Sequence, residues 1–539
     1  MGKSASWPAA TALLLLVGQP FGGGAPAAAQ LTVTGNQTFD ERDFDVTSFA
    51  AGNQFGQAVV TCDFNGDGFD DLAVGSPMAD LFGGVANSVG AVHVAYGGPN
   101  GLTLIGDQTL TQPFGGPDPP EEGDQFGRAL AAGDFDGDQR CDLAVGALFE
   151  DVGVAFGAGS VHVFWGSNEG LEDASQVWTQ DTPGVQETAE TDDRFGQALA
   201  AGDFDGDGDD DLAIGAPGEN DSAGVVHILF GTLEGLTAAA DELLHEGDPQ
   251  GTSGTSEAGD NFGASLAVGR FDDGFRDDLA VGIPSEDVAD LPNVGRVVVF
   301  YGENTGFDSR IHEPLTQAAV GLSGEEGDTF GYALAAGDFD GSGNDDLAIG
   351  SPGEGVGLPG SEASQAGQVT VVYGGDAGLA GNVAHHFNQD TTGISDQAEA
   401  FDRFGEALAA ADFDFDGRDD LAIGALFEEF ENSGLSNTGA VHAVYGSPRG
   451  LGGGAEQFHG QGGWNVGAAE DNDTFGEVLA AGDFDGNGAF SLVVGVPREG
   501  VSGEADAGLV AVIGSVRQPF LFADGFESGA TVAWDATAP

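Results

Sequence analysis

The sequence predicts an all-β fold, a seven-bladed β-propeller of four-stranded blades, on three observations. The dipeptide Phe-Gly recurs at Phe55, Phe126, Phe195, Phe262, Phe330, Phe404 and Phe475, with spacings of 71, 69, 67, 68, 74 and 71 residues. Each recurrence opens four short runs of β character, separated by Gly, Asn, Asp and Pro turns. No sustained helical period follows residue 29. A period this regular points to a propeller or a solenoid before any local feature is weighed.

The four runs follow a fixed order. The first is an "FGxALAAGDF"-like stretch, whose small residues suit a crowded position near an axis. An aspartate cluster comes next, then a second run, "DLAVG" or "DLAIG". A variable loop leads to a third run such as "GAVHVAYG" (90–97) or "GRVVVFYG" (295–302). The fourth is short, as in "QTLTQ" (108–112) and "QVWTQ" (176–180). An open solenoid needs distinct polar caps, and none is seen, whereas a closed ring leaves only short, protected edges. One fourth-type run, "QTFD" (37–40), precedes the first Phe-Gly, and unit seven ends at "GLVAVIG" (508–514) with none after it. The N-terminal strand is therefore expected to complete the last blade.

Charge and termini bound the setting. The 539 residues include 89 acidic and 14 basic ones, for a formal net charge of −75. A hydrophobic content of 40% still places the chain among globular proteins rather than acidic disordered ones. Self-repulsion disfavours nucleic acid and anionic lipid as partners. Lys3, the apolar "AATALLLLV" (9–17) and "APAAAQ" read as a cleaved secretion signal, the apolar run being too short to span a bilayer. The expected organisation is a signal peptide at 1–29, the propeller at 30–515 and a short tail at 516–539. That describes a secreted monomer (extracellular, cell surface or periplasmic) with no membrane span. Cys62 and Cys141 fall at non-equivalent positions of different units and read as unpaired thiols.

The aspartate clusters carry the chemistry. Numbered from the first aspartate, positions 1, 3, 5 and 9 are Asp63, Asn65, Asp67 and Asp71 in unit one, and Asp134, Asp136, Asp138 and Asp142 in unit two. They are Asp203, Asp205, Asp207 and Asp211 in unit three, and Asp412, Asp414, Asp416 and Asp420 in unit six. Unit five offers Asp338, Asp340, Ser342 and Asp346, a weaker set. Alternate side chains converge when the backbone curls, and glycine at positions 4 or 6 permits the curl. The position-7 carbonyls of Phe69, Arg140, Asp209, Asn344 and Arg418 would complete each set. Oxygen-only donors without His or Cys suit Ca²⁺ rather than Zn²⁺ or a redox metal, and Mg²⁺ resists such cages. A lone Asp-Gly pair would be only a turn, and a calcium hand would end in glutamate at position 12 between helices. About four to five calcium sites are expected. Unit seven has Ser491 at position 9, which leaves its occupancy open. Unit four has Arg270 at position 1 and Gly274 at position 5, so it should bind no metal, with Arg270 pairing to Asp272 and Asp278.

With Phe-Gly openings, D-x-D-x-D-G-x-x-D loops and the Gly215-Ala216-Pro217 ending, the chain resembles the FG-GAP repeat family. These are the repeats of the integrin α-chain head, found also in bacterial secreted proteins. The resemblance covers roughly residues 30–515. It implies a seven-bladed propeller with calcium in several hairpin loops, serving adhesion or extracellular binding. The chain departs from a full integrin chain in lacking leg domains, a membrane span and a cytoplasmic tail, and from one phospholipase D type in lacking its catalytic domain.

No H-E-x-x-H, G-x-S-x-G or phosphate-cradling loop is present. His93, His162, His227 and His442 share one strand position that other units fill with Val298, Thr370 and Ala511, which marks them as structural. His385-His386 reads as an isolated surface pair. The expected function is a binding or adhesion module for an extracellular protein or glycan, acting through the long loops opposite the aspartate hairpins and having no catalytic residues. The alternative is a calcium-dependent polysaccharide hydrolase or lyase using acidic residues of the propeller face.

Overall fold

The second run of each unit is apolar without alternation, because both its faces are covered. All six residues of Asp211–Ala216 are buried, as are those of the equivalent strands Asp71–Ser76 and Asp420–Ala425. The computed structural model describes residues 31–514 apart from 33–34, 45–49, 81–87, 113–119, 173–175, 247–255, 290, 305, 358–361, 380–383, 430–433 and 452–455. The expected signal peptide and the tail at 516–539 lie outside the described residues.

Seven four-stranded antiparallel sheets form the blades of a propeller. Blade three shows the pattern, pairing in sequence order through Ala198–Gly202, Asp211–Ala216, Val225–Phe230 and Thr237–Leu244. The first strands touch one another in ring order, so they line the axis. In blade seven, Val478–Gly482, Ser491–Val496 and Leu509–Ile513 are joined by the N-terminal strand Gln37–Phe39. Its register sets Gln37 opposite Val512 and Phe39 opposite Val510. The two ends of the chain thus share one sheet, as the repeat register requires. Helix is confined, among the described residues, to the turns Glu41–Asp43 and Glu219–Ser222.

The core is divided. Seven apolar clusters each span two adjacent blades, the last joining Phe55 and Leu72 of blade one to Val493 and Val510 of blade seven. All seven Phe-Gly phenylalanines are fully buried within these junctions. The repeat glycines meet there too. A Cβ added at Gly215 of blade three would lie 2.3 Å from the carbonyl oxygen of Gly263 in blade four. Only glycine allows so close an approach, which explains both dipeptides of the repeat signature.

One expectation is corrected. Cys62 and Cys141 are not unpaired thiols but form a disulfide, with Cα atoms 6.0 Å apart. The linear repeat positions conceal this, because Cys62 ends the first strand of blade one and Cys141 sits beside it in the loop of blade two. The Cys141 N–H donates to the Asp63 carbonyl at 3.1 Å, so the two chains already run side by side.

Candidate metal centre

Each aspartate loop joins the first and second strands of its blade, on the face opposite the Phe-Gly turns. In loop three, Asp203 Oδ1 accepts from the N–H groups of Gly206 at 2.7 Å and Asp207 at 3.1 Å. Its Oδ2 accepts from Gly208, while Asp205 accepts from Asp207 and Asp207 from Asp209. These short-range acceptances wind the backbone into the expected curl. Loop one repeats it, with Asp63 accepting from Gly66, Asp67 and Gly68, Asn65 from Asp67, and Asp67 from Phe69.

Positions 1, 3 and 9 come together. Carboxylate oxygens of Asp134, Asp136 and Asp142 lie within 4.8 Å of one another, as do those of Asp203, Asp205 and Asp211, and of Asp338, Asp340 and Asp346. Position 5 stays outside these trios. Asp138 and Asp416 pair instead with the position-7 guanidiniums of Arg140 and Arg418, and Ser342 Oγ contacts the Asn344 carbonyl at 3.5 Å.

Position 9 has a second role that the sequence did not reveal. Asp211 Oδ2 accepts from Phe204 N–H at 2.9 Å and Oδ1 from Gly231 N–H at 2.8 Å, tying the loop to the end of the third strand. Asp71, Asp142, Asp346 and Asp420 do the same. Burial raises their carboxyls to about 7 in Asp71 and about 8 in Asp142, Asp211, Asp346 and Asp420. In loop six the buried Asp414 Oδ1 has no partner. Gathered oxygens, buried carboxylates lacking a counter-charge and no nitrogen or sulfur donor together fit a hard divalent cation.

The weak loops differ as their sequences imply. In loop seven, Asp483 and Asp485 still accept from Asn487, but Ser491 supplies no position-9 carboxylate. Loop four departs from expectation in one detail. Arg270 donates to the Gly274 carbonyl at 3.1 Å and does not pair with Asp272 or Asp278. Its charge acts on Asp277 and Asp345, while Asp272 accepts from the Gly274 N–H at 2.6 Å and Asp278 from those of Phe271 and Gly302.

Position 8 was missed altogether, and it joins the blades. The Asp134 N–H donates to Asp210 Oδ2 of the next blade at 2.9 Å, and the Asp210 N–H returns to the Asp134 carbonyl at 2.8 Å. The same double clasp links Asp203 to Asp277, Arg270 to Asp345, Asp338 to Asp419 and, across the closure, Asp483 to Asp70. In blade two, position 8 is Cys141, so the disulfide stands where a carboxylate clasp would be. The signal was an acidic residue beside the position-9 aspartate in five units, and it was absorbed into the cluster.

The opposite rim carries a second set of junction contacts. Gln180 donates to Glu219 of the next blade at 2.6 Å, Gln317 to Glu354 at 2.8 Å, Gln389 to Glu428 at 2.5 Å and Gln461 to Glu499 at 3.0 Å. Where blade three supplies Glu246 in place of glutamine, Arg296 of blade four pairs with it and, at 3.0 Å, with Glu286. The recurring histidines are structural, as read. They are buried against the Phe-Gly rings, with centroids 5.6 Å apart for Phe55 and His93 and 5.1 Å for Phe404 and His442. His385 and His386 are not a surface pair. They lie half-buried in strand Ala384–Phe387, bonded to the hydroxyls of Tyr373 at 3.0 Å and Thr370 at 3.1 Å.

A seven-bladed ring with an acidic hairpin loop at the same corner of successive blades defines a repeat propeller of one recognisable class. The FG-GAP repeat model matches residues 55–94, 126–164, 195–229, 330–372 and 404–444. Units four and seven, whose loops carry incomplete ligand sets, lie outside those ranges. The chain is 38% identical over 169 residues to integrin alpha-PS5 and 31% over 283 residues to integrin alpha-PS2, both of Drosophila melanogaster. It is 34% identical over 180 residues to phosphatidylinositol-glycan-specific phospholipase D of Rattus norvegicus. The three alignments cover 31%, 50% and 33% of this chain but 15%, 18% and 20% of those proteins. The chain thus matches at most about a fifth of each relative's length. It is an integrin-α-like FG-GAP β-propeller.

Proposed function

We propose that this protein is a secreted, calcium-stabilised binding or adhesion module whose recognition surface is the face of long loops opposite the aspartate hairpins. The observation that carries the reading is the division of labour between the two faces. One is committed to short, repeated, hydrogen-bonded acidic loops; the other presents loops of unequal length and sequence on a rigid ring, where recognition usually sits. Similarity to two integrin α chains supports it. The aspartate trios would hold calcium, which supplies the positive charge that their buried carboxylates lack. Binding is preferred to hydrolase or lyase chemistry because the hairpin carboxylates would be taken up by metal, and rim glutamates accept from glutamines of the neighbouring blade. The partner would be an extracellular protein or a glycan.

The test is a screen of the purified protein against matrix proteins and glycans, with and without calcium. Calcium-dependent retention on a protein or glycan, without turnover, is the expected result. Release of fragments from an added polysaccharide would replace the binding reading with the enzymatic one.

A further inference from the structure

The long-loop face carries a cavity of about 590 Å³ at the junction of blades five and six. Its lining comes from the loop after the second strand of each of these blades and from the segment leading into the sixth Phe-Gly. Alanines and two phenylalanines, Phe401 and Phe427, make the apolar part. Glu362, Glu399, Asp402 and Glu429 bring four carboxyl groups, and no basic residue lines the cavity among the described residues.

Phe401 is out of place by the standard of its own repeat. It stands three residues before a Phe-Gly phenylalanine, where the other units have Gly52, Gly123, Asp192, Gly259, Gly327 and Asn472. All seven residues have positive φ, from 68° at Asn472 to 100° at Gly123 and Gly259, with Phe401 at 78°. Glycine, asparagine and aspartate adopt this backbone readily, whereas a phenylalanine there is strained. Its N–H donates to the Ser364 carbonyl of blade five at 3.0 Å, which pins the segment, and the side chain is left 56% exposed. Unit six therefore bears backbone strain and holds an aromatic ring in solvent beside the cavity, a combination that folding alone does not favour.

The charges around the cavity are of one sign. Arg403 lies 5.9 Å from the Phe427 ring centroid, but its guanidinium is paired with Glu406 at 3.0 Å. Asp402 is 2% exposed and accepts from the Glu399 N–H at 2.6 Å. Burial, and then the charges of Glu399, Asp396 and Glu429, raise its carboxyl to about 7. Carboxylates beside aromatic rings suit a ligand with several positive charges on an apolar chain. The carboxylates take its ammonium groups, and the rings take the methylenes that bear them. The volume falls within the usual range for a small-molecule site.

We propose that this cavity binds a small aliphatic polyamine, its ammonium groups on Glu362, Glu399, Asp402 and Glu429 and its methylenes against Phe401 and Phe427. The field of a chain of net charge −75 draws the ligand in, and the aromatic walls fix where it rests. The site does not depend on which protein or glycan the long-loop face binds, so a negative screen there leaves it standing.

Isothermal titration into the calcium-loaded protein at pH 8 tests this with spermidine, hexane-1,6-diamine, hexylamine and hexane-1,6-diol. Salt at about 0.15 M suppresses diffuse attraction to so acidic a chain. The tightest step should take up one spermidine per chain, with affinity about tenfold lower for each ammonium removed and no binding of the diol. Phe401→Asn, the residue type of unit seven, should cost about tenfold in spermidine affinity without lowering the melting temperature, because it relieves the backbone. Glu399→Gln combined with Glu429→Gln should cost at least as much, and it decides the matter if Phe401→Asn fails to fold. Diffuse binding would be indifferent to Phe401. Unchanged spermidine affinity in either variant, equal binding of the diol and the diamine, or no binding of any amine would overturn the proposal. So would Phe401-dependent binding of trilysine tighter than that of spermidine, which would make the cavity a site for a basic peptide.

Discussion

Asp211 accepts two backbone N–H groups and also belongs to a metal trio, whereas Asp205 belongs to the trio without tying the loop to another strand. Alanine at the two positions separates these roles. Asp211→Ala leaves the N–H groups of Phe204 and Gly231 without partners, at a cost of about 2–4 kcal/mol, and it should show that loss with or without calcium. Asp205→Ala should cost about 1 kcal/mol in calcium and almost nothing in chelator. Urea unfolding of both variants in the two buffers checks this; equal losses in chelator would remove the distinction. Glu428, at the other rim, titrates in the opposite sense to most structural acids. Burial first, then Asp402 and Asp396, pushes its carboxyl from an ordinary value of 4.5 up to about 9. The folded state therefore holds the proton more tightly than the unfolded state. That stabilisation is complete below about pH 4.5 and is lost as pH rises towards 9. Glu428→Gln keeps the size and removes the charge. It should be nearly neutral at pH 5 and stabilising by about 2 kcal/mol at pH 8, read from melting curves at the two pH values. A variant less stable at pH 8 than the parent would show that the carboxylate is balanced by a cation.

The closing strand Gln37–Phe39 is short, yet it covers the edge of blade seven and brings Phe39 into the junction with blade one. Removing residues through 40 exposes that edge and opens the cluster that seals the ring. The melting temperature should fall by several degrees, while removal of 518–539 should leave it unchanged. Equal effects of the two truncations would contradict closure by this strand. The element was legible because a fourth-type run lay ahead of the first Phe-Gly and none lay after "GLVAVIG". The loops were legible in the same way, since seven aligned copies separate ligand positions from turn residues. Contacts between blades were not. Position 8, the rim glutamates and the Cys62–Cys141 pairing all join residues of neighbouring units, and a repeat read one unit at a time gives no view of its neighbour. Arg270 illustrates the same limit, because its charge acts partly on Asp345 of the next blade.

At the scale of the whole ring, no blade has a core of its own. Each apolar cluster is shared by two blades, and most junctions are fastened near the aspartate loops as well as at the rim. Loop curl and ring integrity are therefore mechanically joined, since position 1 supplies both a metal oxygen and the backbone of the clasp. A cation held by the trios would stabilise the junctions along with the hairpins. Extracellular calcium modules bind with a Kd of about 10⁻⁴–10⁻³ M. At roughly tenfold excess, each site adds about 1.4 kcal/mol by mass action, so four or five sites add about 6–7 kcal/mol. The most direct test is the melting temperature of the calcium-loaded protein, compared with the same sample in excess chelator. The account predicts a fall of roughly 5–10 °C, restored by calcium and not by magnesium at equal concentration. An unchanged melting temperature in chelator would contradict it.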